Sequence, residues 1–317
     1  MEYRQVGRSG LTVSLAGLGC NNIGNRIDEA TSREVVHQAL DLGITLFDTA
    51  DMYGPGGASE AVLGQILGVR RKDVVLATKY GKDEAHKSKG ASRRYTVQAV
   101  EASLRRFKTD WIDLYQVHAP DPLTPIEETM RALDDLIRAG KVRYIGCSNF
   151  AAWQVVEAQL IARQLNLNPF VSCQDEYSLL VRRVEAELAP VMQAYGMGLL
   201  PFFPLASGLL SGKYTSAGAM PQGSRLSKLK HLAARFMTDA NMALVAQLAD
   251  FGGKHGRSLL DVALGWLAVN PIVPSIIAGA TTAAQLTQNA KAIECNLSVE
   301  ECAGIRHILD LGSLREM

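Results

Sequence analysis

Gly43-Ile44-Thr45-Leu46-Phe47-Asp48 is a short apolar run closed by a carboxylate, and the chain repeats that design downstream. Asp73-Val74-Val75-Leu76-Ala77-Thr78-Lys79 ends on an ammonium, and Trp111-Ile112-Asp113-Leu114-Tyr115-Gln116-Val117-His118 ends on an imidazole. Helical patterns separate the three runs, which is the alternation expected of parallel strands in βα units. When such units close into a barrel, the C-terminal strand ends ring one mouth, so Asp48, Lys79 and His118 become neighbours there. Tyr53 lies just past the first run, ahead of Gly54, Pro55, Gly56 and Gly57, which carry the backbone around the rim so that the phenol leans back over the mouth.

Outward from these runs the same rhythm holds. Val13 to Cys20 reads as a strand, preceded by a polar stretch around Gly7 and Gly10 that forms a short β-hairpin closing the barrel floor. Helix 31–42, strand 45–48, helix 59–67, strand 74–79, helix 96–107, strand 112–117 and helix 125–139 follow. For the last helix, Thr124 is the expected cap, Pro125 suits the first turn, and Glu127 with Glu128 complement the dipole. Strand 142–147, helix 151–164, strand 170–174, helix 182–194 and strand 198–203 continue the series. The pattern lapses over about 214–235, which reads as a long excursion above the barrel. Helices 239–254 and 259–269, strand 272–277 and helix 282–293 bring the count to eight strands, a (β/α)8 TIM barrel in a single domain over 1–317.

Composition narrows the function. The 33 Lys and Arg residues balance 32 Asp and Glu residues, so charge gives no case for nucleic acid or an anionic membrane, and a small-molecule partner is expected. The charged start, Met1-Glu2-Tyr3-Arg4-Gln5, is unlike a secretion signal, and the five cysteines show no Cys-x-x-Cys; a reduced, cytoplasmic protein without a structural metal is expected. The greasy stretch from Leu259 to Ala280 is interrupted by Asp261, Asn270, Pro271 and Pro274, which suits a buried helix and strand better than a membrane span.

The four polar groups suggest an acid beside an oxygen-binding pocket. A free tyrosine titrates near ~10 and is a poor acid at neutrality unless its phenolate is stabilised. Lys79 supplies a charge and a hydrogen bond for that purpose, Asp48 keeps the ammonium charged and aimed, and His118 grips a carbonyl oxygen. Each residue alone has a plainer explanation: a rim tyrosine packs, an Asp–Lys pair closes a barrel layer, and a histidine caps a turn. Such groups at three successive strand ends of one polarity favour chemistry instead.

Asp48-Thr49-Ala50-Asp51-Met52-Tyr53-Gly54, Ala77-Thr78-Lys79, Asp113-Leu114-Tyr115-Gln116-Val117-His118 and Gly140 through Asn149 resemble the aldo-keto reductase family, with a match from Tyr3 to about Leu297. The resemblance implies that Tyr53 protonates a carbonyl oxygen, that Lys79 and Asp48 tune it, and that His118 orients the substrate. It also implies a nicotinamide cofactor without a Rossmann domain, and no Gly-x-Gly-x-x-Gly opens a helix after a strand here. Ser148, Asn149 and Gln174 match positions that bind the carboxamide, and Phe202 stands where an aromatic ring stacks on the nicotinamide. Leu205, Ser207, Gly208 and Lys213 match the pyrophosphate loop, while Gly279, Thr281, Thr282, Gln285 and Asn289 match the adenosine end. Cys20 and Asn21 edge the nicotinamide pocket, although Cys20 is equally well explained by packing.

The segment 278–289 departs from the family pattern, because it offers no Lys or Arg for a 2'-phosphate. NADP is expected on family grounds, and NAD remains an open alternative. Cys147 and Cys173 read as inert core, Met52 and Trp153 as substrate contacts or packing, and His37, His86, His231, His255 and His307 as surface. The expected activity is reversible reduction of an aldehyde or ketone. A lyase forming a Schiff base on Lys79 and a cofactor-holding regulatory subunit are the rival readings. Lys87, Lys89, Arg93 and Arg94 in the 82–94 loop suit a sugar or phosphorylated substrate, or simply a solvated surface. Oligomeric state is not legible.

Overall fold

A computed structural model describes residues 1–82, 90–214, 221 and 223–313. Lys87, Lys89, His86 and part of the 214–235 segment lie outside the described residues.

The chain begins with β1 (Tyr3–Gln5) and β2 (Thr12–Ser14), then runs through β3 (Ala16–Gly19), α1 (Glu29–Asp41), β4 (Leu46–Asp48), α2 (Ala58–Leu67), β5 (Val75–Tyr80), α3 (Arg93–Phe107), β6 (Ile112–Val117) and α4 (Ile126–Arg138). It continues with β7 (Val142–Ser148), α5 (Ala152–Gln164), β8 (Ser172–Glu176), α6 (Leu188–Tyr195) and β9 (Gly198–Phe202). Then come α7 (Arg225–Lys228), α8 (Lys230–Phe236), α9 (Asp239–Lys254), α10 (Leu259–Ala268), β10 (Ile276–Gly279), α11 (Ala283–Ile293) and α12 (Val299–Ser313). β10 pairs with β3, and pairing then proceeds in order from β3 to β9, giving an eight-stranded sheet. Every pair in it is parallel. The Leu199 N–H donates to the Ile272 carbonyl at 2.8 Å across the remaining gap, so the sheet curls into the (β/α)8 barrel.

β1 and β2 pair antiparallel and close the floor. Val6, Leu11 and Val13 from this hairpin are buried in one cluster with Leu46, Ala77, Leu114, Leu200 and Ile277 from the strands, so the hairpin supplies the lowest layer of the barrel core. Gly7 has φ +59°, and a Cβ there would meet the Gly196 carbonyl oxygen at 2.2 Å. Only glycine lets the turn sit this close to the barrel wall.

The structure corrects several sequence boundaries. The expected strand 13–20 is two strands, since Val13 and Ser14 belong to the hairpin and the barrel wall begins at Ala16. The last strand begins at Ile276 rather than 272, because Pro271 and Pro274 hold the preceding residues in a turn closed by the Val273 N–H on the Asn270 carbonyl. Ser172–Glu176 replaces 170–174. The helix expected over 182–194 starts at Leu188, so that Pro190, which lacks an N–H, falls in its first turn. Thr124 does not cap α4: Pro125 holds the cap position without a side-chain hydrogen bond, and the Thr124 hydroxyl instead donates to Asp121 at 2.6 Å.

The segment read as a loose excursion contains α7 and α8. Tyr214, Leu226, Leu232 and Phe236 pack there into a second core with Val245, Leu248, Val262 and Ile305 from α9, α10 and α12. No helix among the described residues is long and apolar enough to cross a membrane.

Candidate active site

A cavity of about 870 Å³ opens at the C-terminal ends of the strands, within the range of a site that holds a cofactor-sized ligand. Asp48 ends β4, and Lys79 is one residue short of the end of β5. Asp48 is in register with Ala77, so Lys79, two residues on, points to the same face of the sheet and reaches across: its ammonium lies 2.7 Å from Asp48 Oδ2 and donates to the Thr49 carbonyl at 2.7 Å. Lys79 is 1% exposed and forms the floor under the cavity rather than its lining. The other carboxylate oxygen of Asp48 accepts from Gln174 Nε2 at 2.9 Å, so a strand-end amide fixes the orientation of the pair.

Tyr53 follows the turn after β4. Its N–H donates to the Ala50 carbonyl at 3.1 Å, and its carbonyl accepts from the Ser59 N–H at 3.0 Å, which folds the phenol back over the mouth. The Lys79 ammonium stands 5.2 Å from the centre of the Tyr53 ring, close enough for its charge to act on the phenol. His118 immediately follows β6, and its ring meets that of Tyr53 edge-on with centroids 6.0 Å apart. The four residues expected to carry the chemistry therefore converge on one point.

Their electrostatics are unequal. Burial pulls the Lys79 ammonium down, but Asp48, the Tyr53 phenol and the hydrogen bond to Asp48 together hold it above the ordinary lysine value. Burial is also the largest influence on Tyr53; it outweighs the lowering by Lys79 and leaves the phenol above its ordinary value. Lys79 acts on Tyr53 in the expected sense, yet the net effect is a phenol that keeps its proton. Burial, and then the charges of Lys79 and Lys82, push His118 down to about 2, so the imidazole is neutral. Its Nδ1 is buried without a partner, which favours a tautomer with the N–H on Nε2.

Most of the expected cofactor residues line the same cavity: Cys20, Asn21, Ser148, Asn149, Gln174, Phe202, Leu205, Ser207, Gly208, Lys213, Gly279, Thr281 and Gln285. Asn149 Nδ2 donates to the His118 carbonyl and to Ser148 Oγ, both at 2.9 Å, which leaves its side-chain carbonyl for a ligand. After β9 the backbone is contorted, with φ of 51° at Phe203, 45° at Ala206, 60° at Ser207 and 97° at Gly208. Consecutive strained residues of this kind persist where a site requires them. Ser207 Oγ is buried without a partner, and a Cβ on Gly208 would reach Lys213 Nζ at 3.2 Å. An unspent hydroxyl, a bare backbone and an ammonium make a cradle that fits a phosphate.

Two expected residues do not reach the cavity wall. Thr282 caps α11, its hydroxyl accepting from the Gln285 N–H at 3.1 Å, and Asn289 lies on the buried face of that helix with Nδ2 unpartnered. Cys20 lines the cavity but is also part of the main core, and burial raises its thiol. Cys147 and Cys173 are buried, Met52 lines the cavity, and Trp153 is exposed. Sequence reasoning missed four cations in the lining, Arg26, Lys82, Arg225 and Lys228. Arg225 and Lys228 belong to α7; the several Lys and Arg of 214–235 are the signal for them, and nothing local distinguishes these two from the rest. No cluster of potential metal ligands occurs among the described residues.

A sequence profile of the aldo/keto reductase family matches residues 16–310. A probable voltage-gated potassium channel subunit beta of Oryza sativa subsp. japonica is 39% identical over 302 residues, covering 93% of this chain and 92% of that one. An uncharacterized oxidoreductase, YrpG, of Bacillus subtilis (strain 168) is 38% identical over 312 residues, 95% and 93% of the two chains. The L-glyceraldehyde 3-phosphate reductase of Escherichia coli (strain K12) is 34% identical over 325 residues, 98% and 93% of the two chains.

Proposed function

This chain belongs to the aldo/keto reductase family, and from that premise we propose that it is an NAD(P)H-dependent carbonyl reductase acting reversibly on an aldehyde or ketone, with residues 1–317 working as one barrel unit. The observation that carries the reading is the Lys79 ammonium, held 2.7 Å from Asp48 and 5.2 Å from the centre of the Tyr53 ring at the floor of the cavity. Ser148, Asn149, Gln174 and Phe202 would hold the nicotinamide, Ser207, Gly208 and Lys213 the pyrophosphate, and Gly279, Thr281 and Gln285 the adenosine end. When bound, the cofactor supplies the hydride.

The protein's own residues manage the oxygen and its proton. His118, neutral and carrying its proton on Nε2, donates a hydrogen bond that fixes the carbonyl oxygen. Tyr53, protonated at neutral pH, delivers its proton to that oxygen as negative charge develops there, and the Lys79 ammonium stabilises the phenolate left behind. Asp48 keeps Lys79 charged throughout. The same arrangement disfavours a Schiff-base lyase, which needs a neutral, unpaired amine; borohydride should trap no substrate on Lys79.

NADP is the proposed cofactor. Segment 278–289 supplies no cation, yet Arg26, Lys213, Arg225 and Lys228 reach the cavity from other elements and suit a phosphate-rich ligand. The potassium-channel relative motivates a second reading, a cofactor-holding subunit without turnover. Fluorescence titration with NADPH and NADH, followed by a screen of aldehydes, ketones and sugars in both directions, separates the two: cofactor binding with carbonyl-dependent oxidation supports the reductase, and binding without turnover supports the subunit.

A further inference from the structure

The inward side of β6 carries Leu114, Gln116 and His118 in alternation. Leu114 belongs to the apolar lowest layer of the barrel core and His118 lines the cavity, so Gln116 stands between the apolar floor and the reacting groups. It is fully buried and is not part of the cavity lining. Its register partner on β5 is Lys79, and its partner on β7 is Gly146. A Cβ on Gly146 would stand 3.3 Å from Gln116 Cγ, so the bare glycine leaves room for the glutamine stem.

Gln116 Nε2 donates to Asp48 Oδ1 at 3.4 Å. The same oxygen accepts from Gln174 at 2.9 Å, while Asp48 Oδ2 faces Lys79 at 2.7 Å. Two amides thus hold one carboxylate oxygen and leave the other to the ammonium. The Gln116 contact is long, but its acceptor is charged, so the N–H dipole still offsets part of the Asp48 charge. Gln174 lines the cavity and Gln116 does not, so the Gln116 contact is the one that lies out of a ligand's reach.

The other end of this amide gains nothing for the fold, because Gln116 Oε1 is buried without a partner. An unpaired buried acceptor is destabilising, and an apolar side chain of the same shape would avoid that loss. Polar groups that the fold alone does not favour are expected at functional sites. Tyr53 supplies the function: burial raises its phenol most, Lys79 lowers it, and the Asp48 carboxylate and the Cys20 thiol raise it again. An N–H aimed at Asp48 weakens the carboxylate's share, so the phenol releases its proton more readily.

We propose that Gln116 is a positioning residue for carbonyl reduction: without touching substrate or cofactor, it holds Asp48 turned toward Lys79 and tempers the charge that Asp48 exerts on Tyr53. The proposal rests on the carbonyl-reductase reading and adds a fifth residue to the four that converge at the mouth.

Gln116→Met keeps an unbranched side chain of similar length and deletes the N–H. In the full-length protein the single-turnover rate of NADPH oxidation by a carbonyl substrate should fall roughly three- to tenfold, the size of one hydrogen bond. NADPH affinity and the carbonyl KM should stay within about twofold of wild type, since the interaction acts on the chemical step. The urea midpoint should equal or exceed that of wild type, because the unpaired carbonyl oxygen has gone. A second arm needs no turnover. With tyrosine isotopically labelled at Cζ and the Tyr53 signal assigned from Tyr53→Phe, NMR titration should place the Tyr53 midpoint higher in Gln116→Met than in wild type, by roughly half a unit. Gln116→Leu carries the same expectations and replaces the methionine variant if that protein does not fold.

An unchanged rate, or a Tyr53 midpoint that does not move, would overturn the proposal. A slower rate with a lower urea midpoint and an unmoved Tyr53 would also overturn it, by giving Gln116 a merely structural role, and so would failure of both variants to fold. A loss of NADPH affinity as large as the loss of rate would place Gln116 in the cofactor's site instead. A raised Tyr53 midpoint in a protein whose wild type reduces no carbonyl would remove the reductase reading and leave the hold of Gln116 on Asp48 standing.

Discussion

The Lys79 ammonium lies 2.7 Å from Asp48 Oδ2, with both side chains almost fully buried. Removing one partner of such a pair leaves the other as an uncompensated buried charge, at a cost of about 3–5 kcal/mol. Asp48→Asn is expected to destabilise the protein by about that amount in urea unfolding and to lower kcat sharply, because the ammonium then tends to lose its proton. Stability and turnover both near wild type would mean that the pair supports neither the fold nor the chemistry.

His118 makes stability depend on pH. Its folded value of about 2 lies below the ordinary 6.5, so between those limits the unfolded chain binds a proton that the folded chain refuses. This contribution is intact above the unfolded value and is lost as pH falls through the acid range, with a limiting slope of about 1.4 kcal/mol per pH unit. His118→Gln should lose less stability than wild type between pH 6.5 and 5. Parallel stability profiles for the two proteins would show that the imidazole takes up its proton in the fold.

Lys213 is proposed to bring charge to the pyrophosphate. Lys213→Ala should weaken NADPH binding by roughly tenfold, the scale of one charge-assisted hydrogen bond, and should reduce the salt dependence of that binding. Fluorescence titrations at two ionic strengths provide the check, and an unchanged dissociation constant would move the phosphates elsewhere in the cavity.

At the floor, Gly7→Ala should destabilise the fold by at least about 1 kcal/mol, since a residue with a Cβ is placed at positive φ and against the Gly196 carbonyl. Thermal unfolding should show the loss while cofactor affinity in the surviving folded protein stays near wild type. A stable Gly7→Ala protein would mean that the hairpin can lift from the wall without consequence.

Much of this was legible in the sequence because the barrel is strictly local in its logic. An apolar run that ends in an ionisable residue is a strand whose C-terminus faces the mouth, and that reading placed Asp48, Lys79 and His118 before any contact was known. The hairpin was legible from Gly7 and Gly10, but not the break at Leu15, since Val13 and Ala16 are equally apolar and differ only in the partners they find. Arg225 was hidden for the opposite reason. α7 is a single turn with no periodicity to detect, and its place over Phe203 depends on Tyr214, Leu226 and Phe236 joining a core built by distant helices. Local pattern does not encode such long-range packing.

Tyr53→Phe tests the central claim most directly, since it deletes one hydroxyl and little else. With a carbonyl substrate accepted by the wild-type enzyme, the loss of reduced-nicotinamide absorbance should slow by about 10²–10⁴-fold, the range for removing a general acid, while NADPH affinity by fluorescence titration stays within about threefold. Near-wild-type turnover in Tyr53→Phe, or turnover and cofactor binding lost together in a folded protein, would contradict the assignment of Tyr53 as the proton donor.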